Sequence, residues 1–503
     1  MRKITPVMAI VSILGLLLPL SACGSSAAAD NGLLYVFNTK SEIKDGLEKL
    51  VNEYGKEHGI EVKVFSPGSG SDTVETMNTE MTSSTPPAIF STNSLVTWGP
   101  ADGDFMLDLN ESDNADLKAL AQNVPDELRF TSEGDENLGL PYTLEGYGYL
   151  VDVDVLKDLF ALDDDKVAEL IADLKACDFD TFRAFTDAVD AYINNPQAIS
   201  VNVNGHEYTT APAKTGLAND LTGVFVESGA EKWTYADHMV NIPLNAVFEN
   251  YGDAYSADLD AVDALKKPLI KEMEVLDYNT SHAAGEDGPN TRGPSFVNST
   301  TGSYDYALQL FAEHKGLFFK QGNWIYPNLK AALADTEDAG ARMLSSLEIL
   351  PIKMPFEQSD ISVKGRTPET FNTYIPAMVP NYWIINKKSS AAQQKNAADF
   401  LVWLFTSDRG RSFLTDECGF ILYDELDQPD GANSLNNALL HYASAGKTLS
   451  NPFNASPGNW LEFVGNQLKQ NYMTKAKWDE STYPALADTV IARWKNLKDI
   501  QSS

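Results

Sequence analysis

Asp152 and Asp154 place two carboxylates two residues apart, the kind of pair that glycoside hydrolysis divides between a proton donor and a nucleophile or base. The chain has 71 acidic residues, so such pairs arise by chance, and a solvated acidic face accounts for this one. Other chemistries find still less. No Gly-x-Ser-x-Gly elbow and no His-Glu-x-x-His occurs, and the histidines at 58, 206, 238, 282, 314 and 441 share no metal-ligand spacing. Gly446-Lys447-Thr448 copies the end of a phosphate loop, but His441 stands where its leading glycine belongs, and Gly68-Ser69-Gly70 lacks the third glycine of a dinucleotide fingerprint. Asp163-Asp164-Asp165 has neither the spacing nor the glycine of a calcium loop and reads as a charged helix end. These residues predict no enzyme, no cofactor and no metal.

Residues 319–328, Phe-Lys-Gln-Gly-Asn-Trp-Ile-Tyr-Pro-Asn, offer binding chemistry instead. Trp324 and Tyr326 flank an isoleucine between a Gly-Asn turn and a proline. Aromatic rings of this kind are usually buried, but a turn can also hold one out as a flat apolar platform. If the segment is extended, the two rings point to opposite sides, giving Trp324 to a ligand and Tyr326 to the core.

A formal charge of -33, from 71 acidic against 38 basic residues, excludes a phosphate-backbone partner, which needs clustered Lys and Arg. At 503 residues with 43% hydrophobic content, the chain divides into two or three cores rather than enlarging one. Arg2 and Lys3 precede an apolar run from Ile4 to Leu20 that ends in Leu-Ser-Ala-Cys-Gly, an export signal over residues 1–22. Leu20-Ser-Ala-Cys23 resembles the bacterial lipobox, in which the cysteine thiol takes a diacylglyceryl group and the new N-terminus is acylated, for example with palmitate. Cys23 is then the lipid anchor at the head of a tether over residues 23–32. Cys177 and Cys418 sit in apolar surroundings and read as buried, inert thiols.

The elements that must position any site begin at Leu33. The run Leu33 to Phe37 is a strand, and Ser41 opens a helix bearing Ile43, Leu47, Leu50, Val51 and Tyr54 on one face, stopped by Gly59. Ile60, Val62 and Val64 alternate as a second strand. A helix through Val74, Met77 and Met81 leads to a third strand, Ala88 to Phe90. This β-α-β-α-β order predicts a parallel sheet, with ligands outside the carboxyl ends of its strands. Those ends are Asn38-Thr39-Lys40, the loop 66–71, and Ser91-Thr92-Asn93 with Trp98 close behind. Leu138 to Val151 reads as a crossing strand, and an Asp-rich helical region runs on to about Tyr192. Residues 200–310 elaborate a second domain. Ser346 to Leu350 and Tyr382 to Ile385 read as strands, Ser390 caps a helix carrying Ala398, Leu401, Leu404 and Phe405, and a last helix starts near Pro484.

Four stretches in this order, "NTKSEIKDGLEKLVNEYGKEHGIEVKVFSPGSG", "NLGLPYTLEGYGYLVDVDVLKDL", "FFKQGNWIYPNL" and "YWIINKKSSAAQQKNAADFLVWL", resemble landmarks of the extracellular solute-binding proteins, family 1, which serve ABC transporters for carbohydrates. The resemblance implies an α/β, two-lobed periplasmic-binding-protein-like fold with a ligand cleft between lobes joined by crossing hinge strands. It gives 31–142 and 384–432 to the N-terminal lobe, and 143–383 and 433–503 to the C-terminal lobe. A non-sugar solute and a secreted glycoside-active enzyme are the rival readings.

By the same resemblance Asn38, Lys40 and Asn93 present polar groups to sugar hydroxyls. Glu145 accepts from them or forms a hinge salt bridge, and Tyr147 lies beside it in the site or the core. Trp324, in the turn Gly322-Asn323-Trp324, is the stacking platform and Asn323 joins it. Trp98, Trp233, Tyr382, Trp383 and Trp460 are further rings that serve either ligand or core. The implied protein is a monomer at the extracytoplasmic face of the bacterial cell membrane, with an oligosaccharide ligand, permease subunits and an ATPase as partners, and the membrane reached only through lipid. The large 200–310 segment departs from compact members of the family, so ligand identity does not transfer.

Overall fold

Leu34–Phe37 (β1) is four apolar residues with no exposure at all, and Val62–Phe65 (β2) and Ile89–Thr92 (β3) both run parallel to it or beside it in one sheet. The computed structural model describes residues 32–67, 73–95, 98–100, 103–132, 135–426, 431–479 and 481–502. The export signal, Cys23 and the tether to Asn31 lie outside them, as does most of the loop 66–71. Between β1 and β2 a short 3-10 turn, Ser41–Ile43, leads into the helix Lys44–His58. Its buried face is Leu47, Leu50, Val51 and Tyr54, and Gly59 ends it at φ 67°, a left-handed position that a glycine takes without strain.

The remaining strands are Leu140–Pro141 (β4), Glu145–Asp152 (β5), the hairpin Ser200–Val203 (β6) with His206–Thr209 (β7), Gly223–Val226 (β8) and Gly316–Gly322 (β9). Leu347–Leu350 (β10), Ile375–Met378 (β11), Tyr382–Ile385 (β12) and Thr448–Leu449 (β13) follow. They make two main sheets, β2-β1-β3-β12-β4 and β13-β11-β5-β9-β8, with β10 pairing the far part of β5. Each sheet is the centre of one lobe. The larger hydrophobic core surrounds the second sheet, and two smaller ones line the faces of the first.

Among the described residues the chain crosses between lobes three times. Residues 142–144 join β4 to β5, residues 379–381 join β11 to β12, and a third strap passes near Ile421, whose carbonyl accepts the Leu144 N–H at 2.8 Å. In that strap Phe420 and Leu422 face the first-lobe core and Ile421 the second. The lobes also meet away from the straps: Asn93 Nδ2 donates to Asn454 Oδ1 at 3.3 Å, and the ring of Tyr251 packs against cores of both lobes.

Local signals explain the helices. Ser390 accepts from Gln393 N while Gln393 accepts from Ser390 N, a complete capping box on Ala391–Thr406. Asp152 accepts from Asp154 N as the cap of Val153–Phe160, and Asp163 accepts from Lys166 N as the cap of Asp164–Ala176. The acid pair and the Asp run thus serve helix starts. Cys177 and Cys418 are free and buried.

The elaboration is tied down by Arg292. Its guanidinium donates to Asp277 O at 2.8 Å and Thr280 Oγ1 at 2.6 Å, pairs with Asp277 Oδ1 at 2.5 Å, and covers the ring of Trp478. Lysine keeps the charge but not the planar fork. Arg292→Lys is expected to cost about 2 kcal/mol of unfolding free energy, read from urea melts. An unchanged midpoint would mean the loop is held elsewhere.

Candidate functional site

At the carboxyl end of β1, Asn38 is fully buried and organises the turn below it. Its Nδ2 donates to Lys40 O at 2.7 Å and Ser66 Oγ at 3.0 Å, and its Oδ1 accepts the Lys40 N–H at 3.0 Å. That turn aims Lys40 at the start of β5. Lys40 Nζ lies 2.7 Å from Glu145 Oε1 and 2.6 Å from Glu42 Oε1, so one ammonium faces two carboxylates from both lobes. Burial opposes the Lys40 charge, but Glu145 and Glu42 outweigh it and hold the ammonium above its ordinary range. Burial pushes the Glu145 carboxyl up, against the pull of Lys40, and Glu42 adds to the push. Glu145 therefore forms the hinge ion pair that was one of its two readings.

Next to this triad stands a group of rings in the second lobe. Pro243, inside the helix Val240–Val247, has no N–H to offer Met239, and the chain before it widens into the π turn Thr234–Met239. That turn sets His238 against Tyr147, ring on ring at 4.2 Å and 15°. Tyr147 is fully buried and its hydroxyl donates to His238 O at 2.9 Å while accepting from Asn241 Nδ2 at 3.2 Å. Trp324 lies 5.1 Å from His238, 6.1 Å from Trp233 and 6.2 Å from Tyr147, and Trp233 lies 6.3 Å from Tyr304. Trp233 and Tyr304 are only partly buried. The charges of Glu42, Lys40 and Glu145 all act on the Tyr304 hydroxyl, and Lys40 also acts on His238, so rings and triad border one another.

Trp324 owes its place to Gly322. A Cβ on Gly322 would fall 2.2 Å from Trp324 Cζ3, so the indole lies against bare backbone, and its Nε1 donates to Gln321 Oε1 at 2.9 Å. Of this stretch only residues 319–322 are extended, as the end of β9. Asn323–Ile325 is a 3-10 turn that runs straight into the helix Tyr326–Ala332, so strand alternation does not apply. Trp324 is 8% exposed, and Tyr326 is half-buried and packs against the second-lobe core.

The sequence-predicted site residues fall into three places. Lys40, Glu145, Tyr147, Trp233 and Trp324 come together, with Asn38 supporting them. Asn323 adjoins them, but its amide is taken up by Gly146 N at 3.0 Å, Leu144 O at 3.4 Å and Asn436 Oδ1 at 2.9 Å, which fix the hinge. Asn93 meets the other lobe through Asn454. Trp98 and Tyr382 lie in the first lobe, Trp98 between Phe90 and Phe105 and Tyr382 stacked on Phe130 at 4.4 Å. Trp383 stacks on Tyr142 at 4.8 Å, and Trp460, with no exposure, donates to Val490 O at 2.7 Å against Trp494. The structure does not bring those last two to the group.

Residues the sequence reading passed over also stand here: Glu42, His238, Tyr304, and Gln321 under the indole. Glu227-Ser228 follow the apolar strand β8 as Asn38 follows β1, and Lys320-Gln321 are the polar positions of β9 before its last residue, Gly322; that strand-end signal could have found them. Among the described residues no group of three or more His, Cys, Asp or Glu is placed to hold a metal ion, and no helix is long and apolar enough to cross a membrane.

Residues 49–417 match the family described as bacterial extracellular solute-binding protein. A search of curated proteins gives no match. Among solved structures, RafE in complex with raffinose is similar at TM-score 0.58 and 16% identity, covering 93% of this chain and 99% of that one. A chitin oligosaccharide binding protein reaches TM-score 0.60 at 14% identity, with the same 93% and 99% coverage. The GacH receptor of Streptomyces glaucescens, solved unliganded and with acarbose, gives TM-score 0.58 at 13% identity, over 93% of this chain and 98% of its own. At these identities the likeness is one of fold.

Proposed function

The chain belongs to the bacterial extracellular solute-binding proteins, and on that premise we propose that it binds a carbohydrate, an oligosaccharide in preference to a single sugar, and delivers it to an ABC importer by closure of the lobes. It breaks no bond. The observation that carries this reading is the group of rings around Trp324 and Trp233, set beside the Lys40–Glu145–Glu42 triad where the lobes are strapped together. A pyranose has an apolar face for a ring to cover and a rim of hydroxyls that fixed carboxylates and amides can take. Covering about 100 Å² of apolar surface at about 25 cal/mol per Å² contributes on the order of 2.5 kcal/mol per ring. Two rings with a few polar contacts suffice for micromolar binding after association costs. The similar structures named for raffinose, chitin oligosaccharide and acarbose support the ligand class.

Calorimetry of the full chain against a panel of oligosaccharides tests this. Binding of at least one sugar with no release of reducing ends is the expected outcome. Reducing ends released by the wild type but not by Glu145→Ala would establish an enzyme instead.

The chain is held at the extracytoplasmic face of the membrane by lipid on Cys23, with permease subunits and an ATPase as its partners. Metabolic labelling with a fatty-acid analogue should mark the wild type and vanish in Cys23→Ser. Label persisting in that variant would refute the anchor.

A further inference from the structure

Four buried polar side chains stand at the carboxyl ends of β8 and β9: Glu227 Oε1, Ser228 Oγ and Gln321 Nε2 have no hydrogen-bond partner among the described residues, and the Lys320 ammonium is paired with Glu227 alone. Their exposures are 7%, 2%, 4% and 1%. A buried polar atom left unpaired costs about 1–3 kcal/mol, and native proteins hold only a few, each of which calls for a reason. Here three fall together, beside the paired Lys320. Val226 stands opposite Phe319 in the parallel register, which brings the residues after them side by side, and Lys320 Nζ is 3.1 Å from Glu227 Oε2.

The group adjoins the rings already described. Gln321 Oε1 accepts the Trp324 indole N–H, so its amide nitrogen is the free end and a donor. β9 ends at Gly322 opposite Tyr147, close to the strap at Leu144, so these strand ends face the junction of the lobes, where ligands of parallel strands sit. The set holds two donors, one carboxylate acceptor and one hydroxyl that does both. Neighbouring hydroxyls on a sugar need that mixture, since each gives one hydrogen bond and accepts others.

Charge narrows the class. Lys320 is neutralised by Glu227, and Lys40 on the first-lobe side already faces two carboxylates. Neither ammonium has a positive charge to spare. We infer that Glu227, Ser228, Lys320 and Gln321 form a wall that seats the hydroxyls of an uncharged sugar unit and turns away sugars bearing a carboxylate. This rests on the carbohydrate reading above.

The test compares the best neutral oligosaccharide from the panel with its uronic-acid counterpart by calorimetry on the full chain. The neutral sugar is expected to bind at least 100-fold more tightly. Ser228→Ala should weaken it at least fivefold while leaving the unliganded melting temperature equal or higher, because the hydroxyl it removes is unpaired; a merely structural serine would lower it. Glu227→Gln, which frees the Lys320 charge, should narrow the neutral-to-acidic ratio at least tenfold, and Ser228→Ala decides the case if that variant does not fold. Equal binding of acidic sugar, or unchanged affinity in Ser228→Ala, overturns the wall while the carbohydrate reading stands. Wild-type protein that binds no sugar in the panel overturns both.

Discussion

Trp324→Ala is expected to weaken sugar binding at least tenfold and also to destabilise the unliganded protein by about 3–5 kcal/mol, the usual cost of removing a large buried ring. Both losses follow from one geometry. The indole lies on Gly322, meets the rings of Tyr147, His238 and Trp233, and is held by Gln321. At 8% exposure only part of it remains for a ligand, so the affinity loss is set nearer 1.4 kcal/mol, which is tenfold, than the full worth of a stacked ring. Trp324→Phe refills most of the space but cannot reach Gln321 with an N–H. It should recover most of the stability and less of the affinity. Stability lost with affinity intact would reduce the whole group of rings to packing.

Acid should act through His238. Burial first, then the charges of Lys320 and Lys40, lower its pKa to about 3 from the ordinary histidine value. An unfolded histidine takes a proton near pH 6.5, so below that pH the unfolded chain binds one proton that the folded chain refuses. Stability from this group is complete above about pH 6.5 and falls by about 1.4 kcal/mol per pH unit toward pH 3. Two other groups act in the opposite sense. Burial raises Glu272 to about 8, and burial with Glu462 raises Asp237 to about 7, so each holds a proton that the unfolded chain releases. The clean measurement is therefore a difference. Unfolding free energies of wild type and His238→Gln, taken by denaturant from pH 7 to pH 4.5, should move in favour of the variant by about 3 kcal/mol over that range. A constant difference would show that His238 titrates normally in the folded protein. In Glu272→Gln the loss of stability between about pH 4.5 and pH 8 should be smaller than in the wild type.

Much of the scaffold was legible because local rules and tertiary packing agree. β1 is a short apolar run and β2 alternates after Gly59, and Ser390 with Gln393 announces a helix that forms where the signal lies. The site was legible in part, through strand ends and the Gly-Asn-Trp turn. The turn after Gly322 was not legible, because nothing in a ten-residue stretch tells a 3-10 turn from extended chain. Asn323 has the look of a ligand amide, yet its three partners come from residues 144, 146 and 436, which no local pattern connects. Glu42 sits among other charges, and Glu227 and Ser228 lie in a segment whose strand is only four residues long. Trp460 shows the converse: an isolated tryptophan looks available until a helix thirty residues later covers it.

The three straps also govern how the molecule is made. Ile89 of β3 pairs with Ile385 of β12, and Leu140 of β4 pairs with Trp383 of the same strand. Contacts of such long range demand early loop closure and slow the search for the native state. Until the chain has been synthesised past β12, the first lobe has an open edge on β3, the type of edge that invites pairing with other chains. A fragment ending near residue 380 is therefore expected to aggregate instead of folding as a half-molecule, and the nascent chain stays open to chaperones for most of its length.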